Sequence, residues 1–158
     1  MSGAGFPQPD ESRLKLAIIG VGLIGGSLGL CLKKNMGDRI FITGLCRTQA
    51  SMQRAMERGA VDFAGDDLAK VVGGADIVFL SPPVLQIVPM VEKIAPYLKD
   101  GAILTDAGST KNYVYQHLQP VLPDGVTYIA GHPMTGKEKS GVEAADADLF
   151  REIGRAHV

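Results

Sequence analysis

No stretch of the 158-residue sequence is apolar for the length of a membrane span, and residues 1–12 carry neither the basic nor the hydrophobic region of a signal peptide. Residues 1–12 are therefore expected to be a disordered leader, and no membrane partner is expected. Charge of one sign is missing too. Sixteen Lys and Arg stand against seventeen Asp and Glu, a net charge of −1, so nothing advertises a nucleic-acid partner. Only two cysteines occur, Cys31 and Cys46, without metal-ligand spacing. Both are expected to be reduced thiols of a cytoplasmic protein, with no metal bound. Repeats at solenoid spacing and low-complexity tracts are absent. What remains is a chain long enough for one domain with a core of its own.

The stretch from Leu14 to Lys34 organises that domain. Leu14-Lys15-Leu16-Ala17-Ile18-Ile19 leads into Gly20-Val21-Gly22-Leu23-Ile24-Gly25-Gly26 and then into a segment with the apolar content of a helix. This reads as strand, tight loop and helix, the opening of a dinucleotide-binding unit. Gly20 suits the sharp turn, Gly22 lets the main chain approach a pyrophosphate, and Gly25 allows the helix to pack closely on the strand. The free amides at Leu23 and Ile24 and the positive end of the helix dipole would meet the phosphates. The competing reading is a glycine-rich corner that binds nothing.

Downstream, Arg39 to Leu45 is rich in β-formers and reads as a second strand. At its end this fold places an Asp or Glu that bonds the adenosine ribose and repels a 2′-phosphate. Here the strand ends Cys46-Arg47-Thr48, without an acid. Arg47 and Thr48 are what a 2′-phosphate requires, so NADP is expected in preference to NAD, with NAD as the alternative. The plainer account is a solvated Arg47 and a Thr48 that caps a helix from Gln49 to Arg58.

Further strands are expected over residues 60–63, 76–80, 101–106 and 127–130. A brief helix capped by Asp66 or Asp67 runs through Val72. Ser81-Pro82-Pro83 ends the 76–80 strand at the edge where ligands of open α/β sheets sit, so Ser81 and Pro82 are expected to line the cofactor cleft. Val84, Ile87, Val88, Val91, Ile94, Ala95 and Leu98 recur at helical spacing, with Pro89 in the first turn or bending the helix. Ser109 or Thr110 caps a helix from Lys111 to Leu118, on which His117 is surface or core filler. Strands alternating with helices at this spacing predict a doubly wound, parallel, Rossmann-type sheet.

Two strand ends carry reactive groups. Asp106-Ala107-Gly108-Ser109-Thr110-Lys111 and Gly131-His132-Pro133-Met134-Thr135-Gly136-Lys137-Glu138 open on the same edge as the glycine loop if the sheet is parallel. A dehydrogenase acting on an alcohol needs a group that takes the hydroxyl proton, and a neutral imidazole does this near physiological pH. Ser109 would hold the imidazole or the substrate oxygen. Against this stand a satisfied loop histidine and a helix-capping serine.

The order G-V-G-L-I-G-G-S-L-G-L, S-P-P, D-A-G-S-T-K and G-H-P-M-T-G-K-E-K-S-G-V-E-A-A-D-A-D-L-F resembles the prephenate/arogenate dehydrogenase family of tyrosine biosynthesis, over Leu14 to Phe150. The resemblance implies that His132 is the catalytic histidine, Ser109 the serine assisting it, and Glu138 a substrate-pocket acid. Lys111 would pair with Asp106. Cys46 stands where many NAD-using members carry aspartate. The implied reaction is an NADP-dependent oxidative decarboxylation of prephenate or arogenate. In that family a helical domain follows the sheet, forms much of a homodimer interface and binds substrate carboxylates. That domain is not represented, so the chain is expected to be a fragment, inactive alone.

Glu152-Ile153-Gly154-Arg155-Ala156-His157-Val158 back-translates to GAG ATC GGA AGA GCA CAC GTC, similar to a common sequencing adapter. Residues 152–158 are accordingly expected to be a non-native tail after a dinucleotide-binding domain over 13–151; a short basic tail is the other reading. The competing functional classes are a β-hydroxyacid-type Rossmann dehydrogenase and a non-catalytic nucleotide-sensing module.

Overall fold

The computed structural model of the protein describes residues 6–108, 111–131 and 141–149. Six strands form one parallel sheet: β1 (Leu14–Ile19), β2 (Ile40–Leu45), β3 (Phe63–Gly65), β4 (Ile77–Leu80), β5 (Ile103–Asp106) and β6 (Thr127–Ile129). Their order is β3-β2-β1-β4-β5-β6, so the chain reverses its winding between β1 and β4. The helices are α1 (Leu23–Met36), α2 (Gln49–Glu57), α3 (Leu68–Val72), α4 (Val84–Ile94) and α5 (Lys111–Leu118). The doubly wound sheet expected from the alternation of strands and helices is the fold observed.

The two-residue period of the strands divides the core. Leu16 and Ile18 of β1 face one way, with Ile40 and Ile42 of β2, and pack with Met52 and Ala55 of α2 and with Ile24 and Leu28 of α1. Ala17 and Ile19 face the other way, with Val78 and Leu80 of β4, under Val71 and Val72 of α3, Ile87, Val91 and Ile94 of α4, and Val114 and Leu118 of α5. Because both faces are covered, the central strands read as near-continuous apolar runs, broken by Lys15 in β1 and Thr43 in β2.

Two local expectations need adjustment. The third strand occupies Phe63–Gly65 rather than 60–63. Asp62 leads into the ladder, its N–H donating to the Ile42 carbonyl at 2.8 Å, but its carboxylate takes the Ile42 N–H at 2.8 Å in place of a main-chain carbonyl and pairs with Lys33 at 2.8 Å, so strand pairing begins one residue later. Pro89 is not in the first turn of α4 but is its sixth residue, because Pro83 occupies the N-cap and the helix starts at Val84. Its missing amide would have paired with the carbonyl of Leu85, an exposed residue open to water. The 1–12 stretch is described from Phe6 onward, as coil, and the Phe6 ring meets Phe41 and Phe63 edge-on at centroid distances of 6.3 and 4.9 Å. His117 lies exposed on α5, stacked on Tyr113. Residues 152–158, expected to be non-native, lie outside the described residues.

Candidate functional site

At the end of β1 the chain turns through Gly20, whose φ of +90° is accessible to glycine and costly for other residues. A side chain there would also meet the Ser81 carbonyl and the Pro82 nitrogen at 3.2–3.3 Å. The β1 and β4 loops are therefore in backbone contact at the reversal point of the sheet, and the Ser81 N–H extends the ladder by donating to the Ile19 carbonyl. Gly25 is held as closely, since a Cβ would collide with the Gly20 carbonyl oxygen and lie 2.8 Å from Ile18. The glycine motif thus forms the strand–turn–helix that its spacing predicts.

Gly22 differs from both. It is the N-cap of α1, and a Cβ built on it would meet no atom of the described residues within 4 Å. Among the described residues no side chain caps the helix, and its first turn carries no acidic residue. The amides of Leu23, Ile24 and Gly25 at this helix end thus have neither a side-chain acceptor nor a neighbouring carboxylate of their own turn. Donors, dipole and open space together fit a pyrophosphate.

Beside this loop, the end of β2 carries a buried Cys46 and an exposed Arg47. Burial pushes the Cys46 thiol up, although a hydrogen bond with Ser51 works against it. Arg47 is not merely solvated: its guanidinium donates to Gln86 Oε1 of α4 at 2.9 Å, reaching across the edge of the sheet. Thr48 caps α2, its hydroxyl accepting the Ser51 N–H at 3.1 Å in a reciprocal capping box.

Further along the same edge, Asp106 ends β5 fully buried. Its Oδ1 accepts the Tyr128 hydroxyl at 2.6 Å and the Gly131 N–H at 3.3 Å, while Oδ2 accepts the Gly108 N–H at 2.9 Å. Burial, with the hydrogen bond to Asp106 and its charge, pushes the Tyr128 phenol well above its ordinary value, so it stays a donor. Gly108 and Gly131 immediately precede Ser109 and His132 in the sequence. Ser109, Thr110, His132 and Glu138 lie outside the described residues, as does the side chain of Lys111. Of the expected site residues, Gly20, Gly22, Leu23, Ile24, Gly25, Arg47, Thr48, Ser81 and Pro82 all fall at the C-terminal edge of the sheet around the β1–β4 reversal.

Sequence reasoning missed three contributors. Gln86 holds Arg47, Tyr128 holds Asp106, and residues 141–149 dock on α1 and α2. In that segment the Asp146 N–H donates to the buried Ser27 hydroxyl at 2.9 Å, and Arg58 donates to the Ala145 carbonyl at 2.6 Å. The one available signal was Gly26-Ser27, small residues beyond the phosphate motif: a Cβ on Gly26 would press on Ala145 and Val142 at 3.0–3.1 Å.

Comparison with known proteins places this geometry. The family described as prephenate dehydrogenase, nucleotide-binding domain, matches residues 28–154. A prephenate dehydrogenase of Bacillus subtilis is 38% identical over 143 residues, 89% of this chain and 38% of the relative. One from Lactococcus lactis is 40% identical over 138 residues, 86% of this chain and 38% of the relative. Among solved structures, prephenate dehydrogenase from Aquifex aeolicus in complex with hydroxyphenyl propionate and NAD+ superposes with a TM-score of 0.80 at 31% identity, covering 90% of this chain and 49% of that one. Synechocystis arogenate dehydrogenase gives 0.78 at 34% identity, covering 86% and 46%. The chain spans 38% of the length of each of these two curated relatives.

Proposed function

This chain belongs to the prephenate dehydrogenase family, whose nucleotide-binding domain it matches over most of its length, and on that premise we propose that it binds NADP across the β1–β4 reversal as the cofactor half of an enzyme of tyrosine biosynthesis. The full protein catalyses the oxidative decarboxylation of prephenate or arogenate, and this part does not turn over alone. The observation that carries the reading is the uncapped N-terminus of α1 set behind the Gly20 turn, with open space at Gly22.

Gly20, Gly22, Leu23, Ile24 and Gly25 receive the pyrophosphate, while Ser81 and Pro82 wall the cleft on the β4 side. Arg47 exchanges Gln86 for a 2′-phosphate, and Thr48 lies beside it at the start of α2. The buried Cys46 thiol offers no carboxylate to a ribose or against that phosphate, which supports NADP over NAD. When bound, the cofactor supplies the nicotinamide that accepts hydride from the ring carbon bearing the hydroxyl. His132 takes the hydroxyl proton, Ser109 steadies the imidazole or the substrate oxygen, and Glu138 contributes to the substrate pocket. The ring carboxylate then leaves as CO2 and the ring becomes aromatic, giving 4-hydroxyphenylpyruvate or tyrosine. Support for these three residues is the G-H-P-M-T-G and D-A-G-S-T-K resemblance. A cytoplasmic, homodimeric full-length protein belongs to the same reading.

The test is an assay of the full-length protein with prephenate, arogenate and simple hydroxyacids, each with NADP and NAD. Turnover of prephenate or arogenate that His132→Asn abolishes is the expected result. Activity on hydroxyacids alone would move the protein to the β-hydroxyacid class, and an unchanged phenotype in His132→Asn would make it a sensor.

A further inference from the structure

The Asp106 main chain pairs with Leu80 of β4 in the sheet, but its carboxylate is engaged elsewhere. The β5–β6 ladder runs from Ile103 to Thr105 against Thr127 to Ile129, and Asp106 lies one residue beyond it. A fully buried carboxylate is costly unless its oxygens are well bonded, and an apolar residue would fill the same space more cheaply. Two of its hydrogen-bond donors come from the chain segments that leave the sheet at this corner, the Gly108 N–H from the first and the Gly131 N–H from the second, and a third, the Tyr128 hydroxyl, comes from β6.

Both glycines are pressed against the same residue. A Cβ on Gly108 would fall 2.8 Å from Asp106 Oδ2 and 3.0 Å from Ile87, and one on Gly131 would fall 2.7 Å from the Asp106 carbonyl oxygen and 3.1 Å from Thr105 Oγ1. The two backbones thus approach Asp106 as closely as main chain allows, and side chains at either position would force them away. One peptide step, about 3.8 Å between Cα atoms, separates each anchored glycine from Ser109 or His132.

We infer that Asp106 is a positioning residue for the reaction, its buried carboxylate fixing Gly108 and Gly131, the residues from which the chain runs into Ser109 and His132, with Tyr128 orienting the carboxylate. The inference rests on the assignment of Ser109 and His132 given above. It adds that the main chain one residue upstream of each member is anchored to a single carboxylate, which acts through that chain. Misplacement of reacting groups by about 1 Å costs up to 100-fold in rate, so the effect belongs in kcat rather than in cofactor affinity.

The experiment uses the full-length enzyme with prephenate and NADP. Asp106→Asn is expected to lower kcat at least tenfold and Tyr128→Phe at least threefold, with the Kd for NADP within twofold of the parent. Tyr128→Phe keeps the ring and removes one donor, so it remains informative if Asp106→Asn does not fold. A purely structural role would move thermal stability and leave kcat of the folded fraction alone. Coupling provides the second readout. If Tyr128 acts through the pair, Tyr128→Phe costs less in a Ser109→Ala background than in the parent. Unchanged kcat in both variants, or an equal cost of Tyr128→Phe in both backgrounds, overturns the inference while leaving the function standing. Full turnover in His132→Asn overturns the functional premise, and the inference with it.

Discussion

Gly22 and Gly25 belong to one motif yet are required for different reasons, and a pair of alanine substitutions separates them. At Gly25 the new methyl would meet the Gly20 carbonyl oxygen and Ile18, neither of which can withdraw without moving the turn or the strand. Overpacking of this kind costs roughly 3 kcal/mol. Alanine returns about 1 kcal/mol of helix propensity, which leaves a net loss of about 2 kcal/mol, or roughly 4–8 °C in Tm for a domain of this size. At Gly22 the methyl enters open space. Stability should fall by less than about 1 kcal/mol, the scale of an N-cap change. The methyl does, however, occupy the approach to the helix amides. Losing one charge-assisted hydrogen bond to a phosphate, about 1.5–3 kcal/mol, weakens binding roughly 10- to 100-fold. Urea unfolding and calorimetric titration with NADP on this chain read the two effects separately. Equal losses of stability in the two variants, or an unchanged Kd in Gly22→Ala, would refute the division of labour.

Other consequences are as direct. Arg47→Ala should weaken NADP roughly tenfold and leave NAD nearly unaffected, so that the two affinities converge in titration. At the opposite edge of the sheet, Asp76 accepts the Lys15 N–H at 2.8 Å and pairs with Lys99. Burial raises its carboxyl, but the Lys99 and Lys15 hydrogen bonds and charges outweigh it and hold the group below its ordinary 3.8. A depressed folded-state value stabilises the fold above the ordinary pKa and is lost as pH falls through the depressed one. Asp76→Asn should accordingly cost about 1 kcal/mol at pH 7, a gap in urea midpoint that closes below about pH 4. Cys31 is half-buried whereas Cys46 is 7% exposed with its thiol pushed up by burial. Iodoacetamide at pH 7.5 should label Cys31 first and reach Cys46 only on unfolding, as mass spectrometry of the digested protein would reveal.

What could be foreseen from the sequence depended on how local its cause was. The glycine turn, the Thr48 cap of α2 and the Asp67 cap of α3 follow from residues within a few positions of one another, and each forms as expected. The apolar face of α4 was legible for the same reason. The register of β3 was not, because the residue that delays it is an aspartate satisfied by Lys33 of α1 and by the β2 main chain, both distant in sequence. In the site, Arg47 stood out through the missing acid, but its tether to Gln86 spans 39 positions and leaves no local mark. Tyr128 looked like an ordinary strand residue. Only the placement of β5 beside β6 turns it toward a carboxylate 22 positions earlier.

The first helix shows how one composition serves two purposes. Gly25, Gly26, Ser27 and Gly29 are buried in α1, although each glycine weakens a helix by about 1 kcal/mol relative to alanine. Neighbours on three sides account for them. Gly25 admits the Gly20 carbonyl, Gly26 admits Val142 and Ala145, and Gly29 admits the Ala60 carbonyl, into which a Cβ would intrude. Ser27 adds its hydroxyl to the Asp146 amide. The glycine content that marks a phosphate loop is therefore mainly packing beyond Gly22: it lets the sheet, the chain before β3 and residues 142–146 close on one helix. Those residues in turn lie on Arg58, which donates to Ala145. A shift of α1 at its N-terminal end cannot stay local, because Gly25 and Gly29 lie against the Gly20 and Ala60 carbonyls and Gly26 against Val142 and Ala145. The chain is held at Gly131 by Asp106 and at Asp146 by Ser27 of α1, so β5 and α1 fix the two described flanks of residues 132–140.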